Sequence, residues 1–353
     1  MKLKNDSPIL LTGATGWLGK RMALALTEGL PNFDNIEIED ELNIRALVPP
    51  EERADYLLKS GISVVSGSIT DSNAVDDFMQ GSEGGVLFHM AGLIHPNLYV
   101  KDFNSINVGG IKQLLSAATK YKIQRIVVIS SNSPFGGNSA QDEYFTEDSP
   151  YNPYMGYGHS KWKMELLLKE AMNVAETPEI VILRVPWFYG PGQPPRQSLF
   201  FKMIREGKFP IVGNGENRRS MGYTDSIVQG MLLAATVKSA ANNIYWIADE
   251  DSYSMNEIVG TVKKVLKEDF NMSVSEKIPR LPSLVSDFAR ACDRTIQSVG
   301  LYQQKIHVLS EMNMTIACSI KKAKKELGYK PILELREGMR KSVKWCLDEG
   351  IEF

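Results

Sequence analysis

The stretch Thr12-Gly-Ala-Thr-Gly-Trp-Leu-Gly19 decides the fold of this chain. A short apolar run that begins at Pro8 leads into it, and a helical pattern follows it. In this setting Gly13 permits a tight turn, Gly16 lets the backbone approach a pyrophosphate, and Gly19 lets the helix pack on the strand. The helix N-terminus adds free N–H groups and the positive end of a dipole. The stretch therefore predicts a loop for dinucleotide phosphates, although glycines at this spacing also occur in plain turns.

Apolar runs alternate with helical periods through the first half of the chain. The predicted strands are Pro8 to Thr12, Ile44 to Val48, Ile62 to Val65, Gly85 to His89 and Ile126 to Ser130, and the predicted helices include Lys20 to Gly29 and Asn107 to Tyr121. Strands that are apolar on both sides are buried on both faces, and a βαβα order predicts parallel pairing. We therefore expect an α/β fold, a Rossmann-type doubly wound parallel sheet.

The pattern loosens from Pro186 onward, where prolines mark a turn-rich exit. We expect residues 1–190 to form the dinucleotide-binding domain and residues 191–353 to form a smaller, mixed α/β substrate-binding domain. One strand near residues 241–247 is expected to return to the main sheet. The acidic segment Leu30 to Leu42 is long for a connection from a helix to a strand, so we interpret it as a surface insertion.

Composition and charge limit the classes of function. The 353 residues carry a net charge of -2 without a basic block, which argues against a nucleic-acid partner. Cys292, Cys318 and Cys346 match no zinc spacing, so neither a metal site nor a disulfide framework is predicted. No apolar run reaches transmembrane length, and the short stretch before Pro8 leaves no room for a signal peptide. We therefore expect a cytoplasmic protein without a membrane partner.

Two side chains on one predicted helix form a candidate acid–base pair. Tyr157 and Lys161 lie four residues apart, so they share a helix face. A free tyrosine has a pKa of about 10, and a neighbouring ammonium is expected to lower it. Ser131 follows a buried strand at the sheet edge where ligands bind, and its hydroxyl is a candidate donor to a substrate oxygen. Each pattern alone also fits an ordinary surface, but together with the glycine loop they predict hydride and proton transfer with a nicotinamide cofactor.

The sequence leaves the choice between NAD and NADP open. An NAD site usually places an acidic residue at the end of the second strand, where it binds the ribose hydroxyls. Here Leu47-Val-Pro-Pro50 stands at that point, so neither a carboxylate excludes the extra phosphate of NADP nor an arginine attracts it. Arg45 and Arg53 lie nearby and are equally consistent with solvated side chains.

Seven motifs, in this order along nearly the whole chain, resemble those of the extended short-chain dehydrogenase/reductases. They are Thr12 to Gly19 (TGxxGxxG), Phe88-His-Met-Ala-Gly92 (the strand-four signature), Asn107-Val-Gly-Gly110 (NVxG), Ser130-Ser-Asn-Ser-Pro-Phe-Gly136 (SSxxxYG), Tyr157-Gly-His-Ser-Lys161 (YxxSK), Leu183-Arg-Val-Pro-Trp-Phe-Tyr-Gly-Pro-Gly192 (LRxxxxYGP) and Lys321-Lys-Ala-Lys-Lys-Glu-Leu-Gly-Tyr-Lys-Pro331 (SKAxxxLGYxP).

The resemblance implies a bound NAD(P) and a catalytic tetrad. Tyr157 would be the acid/base, Lys161 the ribose binder, Ser131 the donor to the substrate oxygen, and Asn107 the fourth member. The implied cofactor contacts are Gly13, Thr15, Gly16, Trp17, Leu18, Gly19, Ile69, Ala91, Gly92, Asn107, Ser130, Tyr157, Lys161, Val185 and Pro186. In the family the helices that carry Asn107 and Tyr157 often form a dimer interface, so a homodimer is a further possibility; the apolar residues of these helices also fit packing on the protein's own sheet.

Two substrate classes are consistent with the sequence. The segment Gly213 to Asp225 resembles one in which nucleotide-sugar members use an arginine to bind the diphosphate, and that position is Arg219. Trp187 instead resembles the reductase and hydroxysteroid-dehydrogenase branch, because nucleotide-sugar epimerases tend to carry Asn there. Pro282 to Tyr302 also resembles that branch.

We therefore take Ser131, Trp187 and Arg219 as candidate substrate-binding residues. The first hypothesis is an NAD(P)-dependent epimerase or dehydratase that acts on a nucleotide-sugar. The alternative is an NAD(P)H-dependent reductase or dehydrogenase of a hydroxy/keto small molecule, similar to dihydroflavonol reductase or 3-beta-hydroxysteroid dehydrogenase. A third reading, a non-catalytic cofactor-sensing protein, is disfavoured because the tyrosine, the lysine and the serine are all present.

Overall fold

The structure, a computed structural model, describes residues 2–3, 8–30, 37–38 and 42–353. Its strands are β1 (Lys2–Leu3), β2 (Ile9–Thr12), β3 (Glu37–Ile38), β4 (Ile44–Val48), β5 (Ser63–Ser66), β6 (Val86–His89), β7 (Arg125–Ser131), β8 (Glu179–Val185), β9 (Trp187–Tyr189), β10 (Ile211–Val212), β11 (Arg218–Tyr223), β12 (Asn243–Trp246), β13 (Ser252–Ser254) and β14 (Arg280–Leu281). Its α-helices are α1 (Trp17–Thr27), α2 (Asp55–Lys59), α3 (Ser72–Met79), α4 (Lys101–Phe103), α5 (Gly110–Lys120), α6 (Met155–Ala171), α7 (Pro195–Arg205), α8 (Thr224–Thr236), α9 (Met255–Lys264), α10 (Ser283–Ser298), α11 (Gln304–Glu311), α12 (Lys321–Leu327) and α13 (Leu335–Asp348).

Seven parallel strands form the central sheet in the order β12-β8-β7-β6-β2-β4-β5. From β2 the chain first runs outward through β4 and β5, then returns to the other side of β2 and continues through β6, β7, β8 and β12. The strand order therefore reverses beside β2, and ligands of such sheets bind at the carboxyl ends of the strands at that point. The predicted Rossmann-type doubly wound fold is confirmed, and β12 pairs with β8 at one edge of the sheet.

The element boundaries differ from the sequence expectations where the backbone geometry is special. The first helix begins at Trp17 rather than Lys20, because Gly16 is extended (φ -73, ψ 173) and turns the chain directly into α1. The segment Asn104–Gly109 is a π-helix that continues α4 and runs into α5, so the helix expected from Asn107 begins six residues earlier, at Lys101. The predicted insertion, Leu30 to Leu42, lies largely outside the described residues.

Three buried apolar clusters hold the fold together. One lies on the α1 and α8 face of the sheet and contains Met22, Met231 and, from α12, Leu327. A second lies on the opposite face, under α3, α5 and α6. The third joins α7, α9 and α13 around Val259 and Val343. The division into domains near residue 190 stays a prediction, and residues from both sides of it share the first cluster.

Smaller elements surround the carboxyl edge of the main sheet. The strand β11 lies between β13 and β9, and its parallel pairing with β9 sets Met221 opposite Trp187. The helices α10 and α11 form a hairpin, and Gln297 Oε1 of α10 accepts a hydrogen bond from the Gly156 N–H at the start of α6 (2.8 Å). Among the described residues, no helix is both long and apolar enough to cross a membrane.

Candidate active site

The glycine loop is packed so tightly that side chains would not fit it. Gly13 has a φ of +74, and a Cβ added there would lie 2.6 Å from the Ala91 backbone nitrogen at the end of β6. A Cβ added at Gly19 would overlap the Gly13 carbonyl oxygen. Gly16 caps α1 without a side chain. The N–H groups of the first helical turn, from Trp17 to Gly19, therefore point at the crevice that runs along the carboxyl ends of the sheet strands. The loop therefore fits a dinucleotide diphosphate, as the sequence predicts.

Trp17 joins the glycine loop to the segment that follows β8. Its indole N–H donates to the Pro191 carbonyl oxygen (2.8 Å), and its ring lies 4.7 Å from the Phe188 ring. Leu18 is buried in the core below. Aromatic side chains thus close the side of the crevice opposite β6. The Trp17 side chain is held there by packing, while the Trp17 backbone lies beside the predicted phosphate site.

A carboxylate that sequence reasoning missed lies at the same loop. The Thr15 hydroxyl donates a hydrogen bond to Glu52, and the Tyr56 hydroxyl donates to the Ala14 carbonyl oxygen at 2.5 Å. Glu52 follows β4 by four residues rather than ending it, so the usual position rule did not find it. The signal available in the sequence was the pair Pro49-Pro50 just before Glu52, because these prolines turn the chain back toward the glycine loop.

Ser131 and Tyr157 are brought together at the carboxyl end of the sheet. Ser131 is the last residue of β7, and Tyr157 lies in the first turn of α6. The Tyr154 N–H donates to the Ser133 carbonyl oxygen (3.0 Å), which holds the start of α6 against the turn after β7 and brings the Tyr157 phenol within reach of the Ser131 hydroxyl. The Ser131 hydroxyl also accepts a hydrogen bond from the Ser133 N–H (3.2 Å), which fixes its position. The Tyr157 ring lies 5.9 Å from the Phe103 ring and is half-buried.

The expectation of a lowered tyrosine pKa is wrong for this structure. Burial raises the pKa of Tyr157 to about 12, because the charged phenolate loses water. The hydrogen bond with Ser131 and the positive charge of Arg196 act in the opposite direction but do not outweigh burial. Lys161 does not contribute here, since its ammonium is directed at the sheet, where it donates to the Ile129 carbonyl oxygen (3.0 Å).

Lys161 is itself perturbed by its surroundings. It is buried, and loss of water lowers its pKa to about 8, while the negative charge of Glu165, one turn along α6, partly restores it. A Cβ added at Gly92 would lie 3.4 Å from Lys161 Nζ and 3.3 Å from Asn107 Oδ1. Gly92 thus leaves space above the ammonium at the mouth of the crevice.

Asn107 holds the loop that follows β6. Its amide oxygen accepts from the Leu93 N–H (2.8 Å), and its amide nitrogen donates to the Leu93 carbonyl oxygen (3.0 Å) and to the Ser160 hydroxyl (2.9 Å). Because these bonds occupy the side chain, Asn107 positions the loop against the helix of Tyr157 and Lys161. It lies within the predicted tetrad but is a positioning residue in this arrangement.

The remaining predicted cofactor residues differ in what they present to the crevice. The Ser130 hydroxyl points away from it and donates to Glu165 Oε1 (2.5 Å), so only the Ser130 backbone remains available. Ile69 is buried against Gly110 at the start of α5. Val185 and Pro186 are buried at the carboxyl end of β8, beside the strand that ends at Ser131.

The predicted substrate residues lie on the paired strands β9 and β11. Trp187 is half-buried, and its indole N–H donates to Gln197 Oε1 (3.3 Å) while its ring meets Phe200 edge-on. Arg219 donates from one guanidinium nitrogen to the Glu311 carbonyl oxygen at the end of α11, and burial lowers its pKa. Among the residues that the structure describes, its other guanidinium donors meet no acceptor, so they are available to a ligand.

Several charged and polar side chains that sequence reasoning missed surround Tyr157 on the substrate side. Arg196, near the start of α7, is exposed to solvent, and its charge reaches Tyr157 and Tyr302. His95 Nδ1 lies 2.5 Å from the Tyr302 hydroxyl, and burial lowers the pKa of His95 to about 3. None of these residues falls in a motif. They come together because α7, the connection between α10 and α11, and the loop after β6 meet at this point.

Comparisons with known proteins agree with this arrangement. The family model for the NAD dependent epimerase/dehydratase family matches residues 9–248. The chain is 53% identical over 349 residues to an uncharacterized protein, y4nL, of Sinorhizobium fredii, which covers 99% of this chain and 98% of that protein. It is 27% identical over 281 residues to the N-acetyl-alpha-D-glucosaminyl-diphospho-ditrans,octacis-undecaprenol 4-epimerase of Escherichia coli O157:H7, which covers 78% of this chain and 75% of the relative. The fold is also that of UDP-glucuronic acid 4-epimerase from Bacillus cereus, solved in complex with NAD (TM-score 0.73, 20% identity, 98% of this chain and 100% of that one).

The fold and the crevice define an extended short-chain dehydrogenase/reductase. The chain belongs to the NAD-dependent epimerase/dehydratase family. The predicted family is therefore confirmed, and the predicted nicotinamide dinucleotide is confirmed as the cofactor of that family.

Proposed function

We propose that this protein catalyses the reversible oxidation of a secondary alcohol on a sugar carried by a diphosphate, in the manner of an epimerase. The observation that carries the proposal is the placement of Ser131, at the end of β7, beside Tyr157, in the first turn of α6, at the same carboxyl edge of the sheet as the glycine loop. A phenol and a hydroxyl that converge on one oxygen atom are what proton transfer to and from an alcohol or ketone requires.

The crevice supplies the contacts for the cofactor. NAD(P), when bound, accepts and returns a hydride at nicotinamide C4. The N–H groups from Trp17 to Gly19 would hold its diphosphate, since they lack partners inside the helix. Lys161 would donate to the ribose hydroxyls through the space that Gly92 leaves open.

Tyr157 carries the proton at its phenol oxygen. With a pKa of about 12, the phenol is protonated at neutral pH and is ready to donate to a ketone oxygen. For the oxidative direction the phenolate must be stabilised, and the Ser131 hydrogen bond and the Arg196 charge both favour it. A Lys161 ammonium that turns from Ile129 toward the crevice would add to that effect.

Glu52 supports NAD rather than NADP as the preferred cofactor. Its carboxylate is exposed and hydrogen-bonded to Thr15 of the glycine loop. A carboxylate beside this loop can accept hydrogen bonds from ribose hydroxyls, whereas it repels the extra phosphate of NADP.

Two arginines support a diphosphate in the substrate. The charge of Arg196 acts on Tyr157, and Arg219 lies on β11 with a single acceptor, the Glu311 carbonyl oxygen, among the described residues. Guanidinium groups bind phosphate oxygens through pairs of N–H donors. The E. coli relative acts, by its name, on a sugar joined to a diphosphate. We therefore infer that the sugar diphosphate is the shared part of the substrate.

The residues beside Ser131 favour epimerisation over dehydration. Release of water needs a further acid–base group beside the reacting carbons. Asn132 and Ser133 follow Ser131, and neither side chain titrates near neutral pH. A reductase of an apolar ketone is the second candidate, favoured by the aromatic pair Trp187 and Phe200.

An isotope experiment separates these candidates. A sugar diphosphate that carries deuterium at the reacting carbon is incubated with the purified protein, and the product is analysed by NMR. An epimerase returns the label to the carbon from which it came, a dehydratase moves it to another carbon, and a reductase exchanges it with added coenzyme. Retention at the inverted carbon, together with about one coenzyme released per chain on denaturation, is the expected result. Loss of the label to free coenzyme would replace the proposal with the reductase.

A further inference from the structure

The outer face of α10 carries an apolar stripe that none of the residues described by the structure covers. Leu284 and Phe288 are 74% and 73% exposed, and Val299 at the helix C-cap is 69% exposed. Ala291 is also exposed. From Leu284 through Phe288 and Ala291 to Val299 the spacings are four, three and eight residues, so the stripe follows one side of the helix. The opposite side is the one that packs, through Ser286, Ala289 and Asp293.

The stripe continues into the loop at the rim of the substrate side. Leu301 pairs with Tyr99, and the Tyr302 N–H donates to the Leu98 carbonyl oxygen (2.8 Å). Leu98, Tyr99 and Leu301 are 46%, 48% and 38% exposed. The same short connection carries Tyr302, whose hydroxyl meets His95 beside Arg196. One surface therefore has its apolar side toward solvent and its polar side toward the pocket of Tyr157.

The charge around this stripe is opposite in sign to that of the whole chain. Residues 277–305 carry five cationic and two anionic side chains, while the whole chain carries -2. One of the two acids, Asp293, is buried and bonded to His307 (2.8 Å), so it is not displayed. Arg290 lies 3.8 Å from Asp287, and Arg280 donates to Asn214 and Asn256, so the other exposed cations that flank the stripe in the sequence are Lys277, Arg294 and Lys305. An apolar stripe with cationic flanks is the pattern of a helix that lies on an anionic membrane.

We propose that this face, made of Leu284, Phe288, Val299, Leu98 and Tyr99, docks on the surface of an anionic lipid bilayer. This departs from the expectation from the sequence that the protein has no membrane partner. The apolar side chains enter the boundary between headgroups and acyl chains, and the cationic flanks contact lipid phosphates. A second copy of the chain is a weaker match, because like cationic flanks would face each other across a twofold axis. The docking also places the pocket at the bilayer surface, where a sugar diphosphate on a lipid carrier is displayed; this consequence rests on the proposed function.

Vesicle sedimentation of the full chain tests the docking without turnover, so its failure leaves the proposed function intact. The chain is mixed with vesicles of phosphatidylcholine alone or with phosphatidylglycerol, at about 0.1 M salt. Leu284→Glu/Phe288→Glu is the test variant, and both sites are exposed, so the fold tolerates the change. Leu58→Glu/Val174→Glu is the matched control, because these side chains are 60% and 59% exposed elsewhere on the surface.

The proposal expects pelleting with phosphatidylglycerol vesicles, weakened about tenfold or more in the test variant and less than about twofold in the control. It also expects weaker pelleting with phosphatidylcholine alone. Absence of pelleting, or equal losses in both variants, would overturn it. Light scattering on the same samples tests the other occupant, a second copy of the chain. If the wild-type chain is a dimer and the test variant is a monomer, this face is an interface between two copies instead.

Discussion

Replacing Glu165 with Gln removes one charge from the most deeply buried ion pair beneath the site. Glu165 and Arg184 have fully buried side chains, joined at 2.8 Å. The carboxylate accepts from Arg184 and Ser130 at Oε1, and from Arg184 and the Tyr151 hydroxyl at Oε2. Each oxygen accepts from Arg184 and from one hydroxyl. The NH₂ group of a glutamine can donate to one of these hydroxyls, but Arg184 then keeps only a neutral amide oxygen in place of a carboxylate.

The cost follows from what is left behind. Arg184 keeps its bonds to the Glu147 carbonyl oxygen (2.8 Å) and the Tyr151 hydroxyl (3.3 Å) and its contact with the Phe135 ring (4.3 Å to the centroid), but it loses its counter-charge. Breaking a buried pair by removing one partner costs about 3–5 kcal/mol. We expect Glu165→Gln to lower the free energy of unfolding by about that amount, a large share of the roughly 5–15 kcal/mol of an ordinary domain.

Urea unfolding, followed by circular dichroism with the coenzyme removed, measures the change. Glu170→Gln is the matched control, since Glu170 is exposed on the same helix and should change stability by less than about 0.5 kcal/mol. The reasoning is refuted if the two variants unfold at the same urea concentration. Restored stability in a variant that also replaces Arg184 with Met would support the unpaired charge as the cause.

Three further changes test other parts of the account. Glu52→Gln should raise affinity for NADP relative to NAD about tenfold in a fluorescence titration, and an equal effect of Glu51→Gln would contradict a specific role. Burial alone would lower the pKa of His307, but the hydrogen bond that His307 donates to the buried Asp293 and the charge of Glu311 raise it overall, so its stabilising contribution is complete below about pH 6.5 and is lost as pH rises through the raised pKa. His307→Gln should therefore flatten the fall in unfolding free energy as the pH rises above about 6.5, and an unchanged slope would show that the pair is not the source. Gly19→Ala should abolish coenzyme retention while Gly260→Ala, where an added Cβ meets nothing within 4 Å, should not; equal retention would mean that the loop is not tightly packed.

The local sequence determined the sheet and the glycine loop almost completely. Ile44–Val48 is the predicted strand, and Gly13 has the positive φ that its turn requires, because these features depend on apolar runs and on backbone space. Local pattern also placed Ser131 and Tyr157 at one edge, since parallel strands end on the same side.

Features that depend on tertiary contacts were not predictable from the sequence. The pKa of Tyr157 follows from burial under elements far along the chain, which a spacing of four residues does not report. Arg196 and Tyr302 reach the pocket only because α7 and the α10–α11 hairpin fold over it. Glu52 reaches the glycine loop through a turn after β4, so a rule about the last strand residue missed it.

The most direct test of the central claim is turnover of a sugar diphosphate by Tyr157→Phe, compared with coenzyme retained by the same preparation. Removal of the phenol oxygen deletes the proton carrier and little else, since the ring keeps its contact with Phe103. The account predicts a loss in kcat of about 10²-fold or more with unchanged coenzyme content. A variant that turns over at more than a tenth of the wild-type rate would show that the proton travels through another group.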